Sequence, residues 1–162
     1  MTTERSELRA AIDGHLLPAL RQLGFEGPRV IAGNALLHEF RRSAGRKTHV
    51  LTVQFEKHGL PRFILNLAIE PPEGFESVIE GGGKIRQGRV KPRPGPSTRS
   101  WFRSDTPLWR RIIGAPSSTA ASAVAACVAL LPEMEAWWQT GAASPHITVL
   151  ETHFKGGQRA AA

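Results

Sequence analysis

The sequence predicts an α+β domain in which an antiparallel sheet of about four strands packs with an N-terminal helix and a C-terminal helical segment. Three observations predict it. Leu8, Ile12, Leu16, Leu20 and Leu23 recur at intervals of four or three residues, the spacing of one helical face. Residues 36–70 contain three runs of period-two alternation joined by short turn signals. An Ala-rich stretch beyond Ser117 carries a second apolar stripe at Val124, Val128 and Leu131.

In the N-terminal helix, Glu4 and Glu7 place negative charge where the helix dipole favours it, and Gly24 supplies a stop. Pro18 removes a backbone donor inside the pattern, which predicts a kink or break there. After Gly27-Pro28 the period changes. Leu36, His38, Phe40 and Arg42 share one strand face, with Leu37, Glu39 and Arg41 on the other. Gly45 separates this run from His49–Glu56, where Leu51, Val53 and Phe55 oppose Val50, Thr52 and Gln54. Gly59-Leu60-Pro61 precedes a third run with Phe63, Leu65, Leu67 and Ile69 on one face. A short strand near Val30–Ala32 makes four, and the N-terminal helix is the natural cover for the apolar face.

Between Gly81 and Ser97 eight of seventeen residues are Gly or Pro, which predicts a Gly/Pro/Arg-rich loop at about 71–100, with Ile85–Val90 as a candidate short strand. Ser117, Ser118 and Thr119 offer N-caps for the Ala-rich helix, and Pro132 either stops it or opens a second helical unit that Gly141 ends. His146–Phe154 is a candidate last strand. The expected organisation is a single domain over residues 1–154, with a disordered tail at 155–162.

Composition narrows the class. Apolar residues make up 41% of the 162 and charged residues 22%, which excludes wholesale disorder and fibrous repeats. A lone cysteine excludes a disulfide scaffold and a cysteine-rich zinc module. Residues 1–7 lack the apolar stretch of a secretory signal. The apolar run Ala120–Leu131 is shorter than the ~20 residues of a membrane span. The expectation is a cytoplasmic protein without a membrane partner.

Positive charge is concentrated. Residues 84–111 hold seven Arg and two Lys against the single acid Asp105, a net of +8, while the rest of the chain nets −1. Such a segment attracts polyanions or an acidic partner. The candidate contact residues are Arg86, Arg89, Lys91, Arg93, Arg99, Arg103, Arg110 and Arg111, with Trp101, Phe102 and Trp109 as candidate stacking partners. Arginine beside aromatics suits phosphate contact and base stacking, which makes single-stranded nucleic acid the alternative partner, although no RNA- or DNA-binding motif is present.

The helix ending in Leu23-Gly24-Phe25, the strand Val53-Gln54-Phe55-Glu56-Lys57 and the strand Phe63-Ile64-Leu65-Asn66-Leu67 carry a resemblance. Through them the stretch from Leu16 to Ile69 resembles an uncharacterised, mainly bacterial family known only as a domain of unknown function (DUF4304-like). The resemblance implies a helix followed by an antiparallel hairpin set. It also implies an arginine segment and a paired tryptophan, for which Trp109 and Trp137-Trp138 are both candidates. Glu56 stands where the family pattern has Gln. No catalytic residue carries over. An immunity-like accessory role beside bacterial toxins is an association with proteins of this size and class.

Catalytic chemistry finds little support. Glu80-Gly-Gly-Gly-Lys84 suggests a phosphate loop, but Val78 and Ile85 stand where that pattern needs Gly and Ser or Thr. The six histidines lack metal-ligand spacing, leaving only a His38–His49 pair that could meet on facing strands. Cys127 has alanine and valine for neighbours and reads as a core residue. No G-x-S-x-G elbow is present. Gln54, Glu56 and Asn66 lie opposite the apolar face; covered, they need hydrogen-bond partners, and open, they line a polar surface. The sequence therefore predicts no catalytic residue, metal or cofactor. It predicts a recognition or accessory module with an acidic partner or another polyanion, and a small enzyme with its site on the sheet is the second alternative.

Overall fold

The computed structural model describes residues 3–95, 100–105, 112–114 and 118–156. Helix α1 (Thr3–Ala11) runs through a π-turn (Ile12–Leu16) into α2 (Leu17–Gln22). The expected disturbance at Pro18 takes this form: the Leu17 N–H reaches back five residues to the Ile12 carbonyl, and proline occupies the first turn of α2, where no donor is needed. Leu8, Ile12, Leu16 and Leu20 stay on one buried face throughout. Gly24, at φ 84, ends the unit in the left-handed conformation.

Strands β1 (Glu26–Ile31), β2 (Asn34–Ala44), β3 (Lys47–Phe55) and β4 (Arg62–Glu70) form the expected meander. Ile31 pairs with Asn34 and Ala44 with Lys47, so two-residue turns join the first three strands. Gly33 and Gly45 supply positive φ in those turns, which matches the strand twist. The inward set is as the alternation predicts: Leu51, Val53, Phe55, Phe63, Leu65 and Leu67 are buried, and Ile69 packs at their margin.

The sheet is larger than four strands. Among the described residues seven strands belong to it: β5 (Lys84–Val90) follows β4 and β7 (Ile147–His153) follows β5, giving the order β1-β2-β3-β4-β5-β7, with β6 (Phe102–Arg103) paired to the start of β4. The segment expected as a loop at about 71–100 contains helix α3 (Gly74–Glu80) and strand β5 (Lys84–Val90). β5 is an interior strand, bonded to β4 at Asn66–Ala68 and along its whole length to β7 (Ile147–His153). Of the expected tail, residues 157–162 lie outside the described residues.

Glycine in the middle of β5 has a packing cause. A Cβ at Gly88 would stand 2.8 Å from Trp137 Cε2 and 3.1 Å from Ile147 Cγ2. The absent side chain lets the indole lie against the strand. The Gly81-Gly82-Gly83 run likewise has a local role: it follows α3, and Gly83 N–H donates to Val78 O at 2.8 Å. The run caps the end of a helix, whereas a phosphate loop leads into the start of one.

Helix α4 (Ala120–Val128) starts at a capping box in which Thr119 and Ser122 exchange side-chain and backbone hydrogen bonds. Helix α5 (Leu131–Thr140) has Pro132 in its first turn and ends at Gly141, φ 65. Ala120–Thr140 has the length and mean hydropathy (1.3) of a membrane span, but it folds as these two helices. Val124, Cys127, Met134, Trp137 and Trp138 from this stretch are core residues packed with Leu8–Leu20 and the inner sheet face. Burial pushes the Cys127 thiol pKa up, as befits an apolar site.

One polar clamp ties three layers together. The Arg42 guanidinium donates to Leu23 O at 2.9 Å, to both Glu135 carboxylate oxygens at 2.9 and 3.0 Å, and to His49 Nδ1 at 2.9 Å. It lies over the rings of Phe25 and Trp138, at 4.6 and 5.5 Å from their centroids. Burial, and next the Arg42 charge, lower the His49 pKa, so the neutral ring accepts at Nδ1 and stacks on Trp138. His38 and His49 do not meet: His38 faces Val53 and packs edge-on against Phe55, and His49 faces Arg42.

Two stability predictions follow from these contacts. Gly88→Val should cost about 1–3 kcal/mol by overpacking against Trp137, read as a lowered denaturation midpoint at unchanged slope. Arg42→Lys keeps the charge but loses the planar fork. It should cost ~1–2 kcal/mol, against ~3 for Arg42→Ala, in the same denaturation assay.

Candidate functional site

β5 sends its cationic residues to different places because successive side chains leave opposite faces. Lys84 and Arg86 stand on the inner face, where the sheet runs out beyond the end of α5, and are 61% and 51% exposed. They share one carboxylate, Glu151, at 3.6 and 3.8 Å. Arg89 crosses to the outer face, where its Nε donates to Asn66 Oδ1 at 3.1 Å. Lys91 is buried, and its ammonium donates to the Gly95 carbonyl. Arg93 is exposed at the far end of the strand.

Arg103 has its partner too. Arg62 and Arg103 face each other across the β4–β6 pair and both grip Asp105, with shortest contacts of 2.6 and 2.7 Å. Burial alone would raise the Asp105 pKa; the hydrogen bonds and charges of the two arginines outweigh it and hold the carboxyl at about 2. The described cations of the 84–111 segment therefore go to different places. Arg89, Lys91 and Arg103 serve the scaffold, while Arg86 is exposed beside Glu151 and Arg93 is exposed beyond the other end of β5. Arg99, Arg110, Arg111 and Trp109 lie outside the described residues.

Phe102 is no stacking platform. It is 1% exposed and stacks on Phe63 with centroids 5.2 Å apart, a core contact set by the β4–β6 pairing. Trp101 is half-buried. The polar sheet face is real in part: Asn66 Nδ2 donates to Gln54 Oε1 at 3.3 Å, completing a Gln54–Asn66–Arg89 chain across three strands. Glu56 is not in it. Its carboxylate accepts the backbone N–H groups of His58 and Leu60 at 2.7 and 3.1 Å and so holds the turn into β4.

A concavity lies beside Lys84 and Arg86. It is a cleft of about 310 Å³ between α3 and the end of α5. Ile69, Pro71, Phe75, Val78 and Trp137 supply its apolar lining, with Lys47, Lys84, Arg86 and Glu73 as its charged residues. Trp137 is 1% exposed, and its Nε1–H is buried without a hydrogen-bond partner among the described residues. Four separate stretches of chain build the cleft, and no local motif marks it. The only hints in the sequence are Lys84 and Arg86 within the cationic count.

Sets that resemble catalytic machinery have structural roles. Glu133 accepts from Ser144 Oγ and His146 Nδ1, both at 2.6 Å, so serine and histidine each bond the carboxylate and neither activates the other. Burial works to raise the Glu133 pKa, and the Ser144 and His146 hydrogen bonds bring it below the ordinary value. No group of three or more His, Cys, Asp or Glu stands together in a metal-holding arrangement among the described residues. Comparison of the chain with protein-family models, curated proteins and solved structures gives no match.

The Asp105 pair makes a pH prediction. A carboxyl held at about 2 when folded, against 3.8 unpaired, contributes stability that is fully present above 3.8 and lost as pH falls toward about 2. Asp105→Asn should lower the melting temperature at pH 7. The gap between variant and parent should close below about pH 3, which melting curves across that range measure.

Proposed function

We propose that the protein is a non-enzymatic recognition module that binds an acidic protein partner through exposed cations at the Lys84 end of β5. One observation carries this reading. Lys84 and Arg86 are more than half exposed and have only the distant Glu151 carboxylate between them, whereas Arg89, Lys91 and Arg103 are committed to the scaffold. Exposed charges with weak internal partners have little internal pairing to break and raise the rate of encounter with an anion. Lys47, in the rim of the adjoining cleft, adds to the same field. An accessory role of the immunity type, in a bacterial cytoplasm, is the setting this reading favours.

Single-stranded nucleic acid remains the competing partner for the same cations. Its stacking requirement is less well served, because Phe102 is in the core and Trp101 is half-buried. A small enzyme is less supported still, since Glu56 holds a turn and His38 and His49 pack on aromatic rings.

Charge reversal tests the reading directly. The triple variant Lys84→Glu, Arg86→Glu, Arg93→Glu should bind poly-L-glutamate at least about tenfold more weakly at low salt, with its melting temperature within a few degrees of the parent. Fluorescence anisotropy with labelled poly-L-glutamate and labelled poly(U) measures both competing partners. Tighter binding of poly(U), lost in the same variant, would transfer the site to nucleic acid. Undiminished poly-L-glutamate binding would remove these residues from it.

A further inference from the structure

We infer that the cleft between α3 and the end of α5 is a binding site for a small amphiphilic carboxylate, an aryl or acyl group that ends in an anionic head. Three independent features of the cleft specify that chemistry. Its walls are apolar, with Ile69, Phe75, Val78 and Trp137 presenting carbon to the space. Its charged lining holds three cations, Lys47, Lys84 and Arg86, against Glu73, and even with Glu151 beside Lys84 and Arg86 the cations are in excess by one, so a negative head is favoured. The Trp137 indole N–H is buried with no acceptor among the described residues. A buried donor left unpaired costs free energy, and a ligand oxygen that accepts from it recovers that cost on binding.

Size separates a small molecule from a macromolecular partner. About 310 Å³ sits at the lower bound of small-ligand pockets and has room for roughly ten water-sized groups. That volume suits one ring system or a short acyl chain. The surroundings also explain why the cleft stays open. Trp137 is held flat against β5 by the missing side chain at Gly88 and cannot swing outward to fill the space. Gly141 ends α5 one turn later in a left-handed turn, so the helix stops short of covering Lys84 and Arg86. Val78 on the opposite wall is braced against the Gly83 backbone, where an added Cβ would stand 2.9 Å from its Cγ1.

The inference does not depend on a macromolecular partner, and its test is run where surface electrostatics are screened. The probe is 8-anilinonaphthalene-1-sulfonate, an amphiphilic anion that fluoresces on leaving water, in 0.5 M NaCl to suppress polyelectrolyte binding by exposed cations. One probe should bind per chain, saturably, and octanoate should displace it while octanol does not. Trp137→Phe keeps the ring and removes the donor, and should weaken the probe about tenfold. Val78→Glu puts a carboxylate in the wall and should abolish binding. Arg86→Gln should weaken octanoate more than the probe's neutral analogue N-phenyl-1-naphthylamine. Melting curves and circular dichroism establish that each variant is folded, and the Val78 and Arg86 variants carry the test if Trp137→Phe is not. Non-saturable binding, displacement by octanol as readily as by octanoate, or affinities unchanged in folded Val78→Glu and Arg86→Gln proteins would overturn the site. Failure of the unaltered protein to bind poly-L-glutamate, with probe binding intact, would count only against the acidic-partner reading.

Discussion

Two adjacent indoles near the end of α5 fix where the helical layer sits on the sheet. Trp138 donates to Ala68 O at 3.2 Å, stacks on His49 at 5.6 Å and tilts against Phe25 at 5.1 Å, so it anchors the helix to β3, β4 and the loop after α2. Trp137, one position on, leaves the helix about 100° away and lands on β5 at Gly88. Each large aromatic buried here is worth a few kcal/mol on its own, and the two together leave the helix no freedom to slide or rotate. Arg42 closes the arrangement, because its guanidinium joins α5 through Glu135 to the carbonyl that ends α2. The glycine in β5, the cation–π sandwich on β2 and the left-handed stop at Gly141 are all consequences of seating this pair.

The parts of the fold legible in the sequence are those whose signals are local. The heptad-like leucines of the first helix, the alternation in β2, β3 and β4, and the cap at Thr119 each depend on neighbours within a turn or a strand. β5 was legible only as a candidate short strand at Ile85–Val90, for the opposite reason. Its central residue is glycine because of an indole nearly fifty residues later in the chain, and its inner face begins with Lys84 and Arg86 because the helices end before reaching them. Both features erase the alternation that would announce a strand. The pairing that stabilises it, with β7, is also remote. β6 is two residues long and takes the part of the β4 edge that β5 leaves unpaired, a role no local pattern encodes.

Charge counting suffers from the same limit. A net of +8 over residues 84–111 is a true sum, but a sum carries no direction. Arg103 finds Asp105 two residues away, and that carboxylate also serves Arg62 from the preceding strand. Lys91 turns into the protein and satisfies a carbonyl, which an amphipathic side chain does at the cost of its charge being unavailable outside. Among the described residues, what survives of the concentration is a pair of cations at one end of β5 and Arg93 beyond the other. The cleft beside Lys84 and Arg86 was not legible at all, since Lys47, Ile69, Phe75, Lys84 and Trp137 come together only through the sheet order.

The two faces of the sheet differ in what surrounds their polar groups. On the outer face Gln54, Asn66 and Arg89 satisfy one another across three strands, and Arg41 pairs with Glu39 and Glu70. A chain of this kind stabilises a solvent-facing sheet and asks for no ligand. On the inner face the hydrogen bonds close around Arg42 at one end and stop at Trp137 toward the other, where a donor lacks its acceptor and two cations share one carboxylate. Native interiors rarely leave such groups unpaired without a reason. The end of β5 at Lys84 thus combines an unpaired indole donor with two cations on one carboxylate, and an anion with an apolar body is the complement we propose for it.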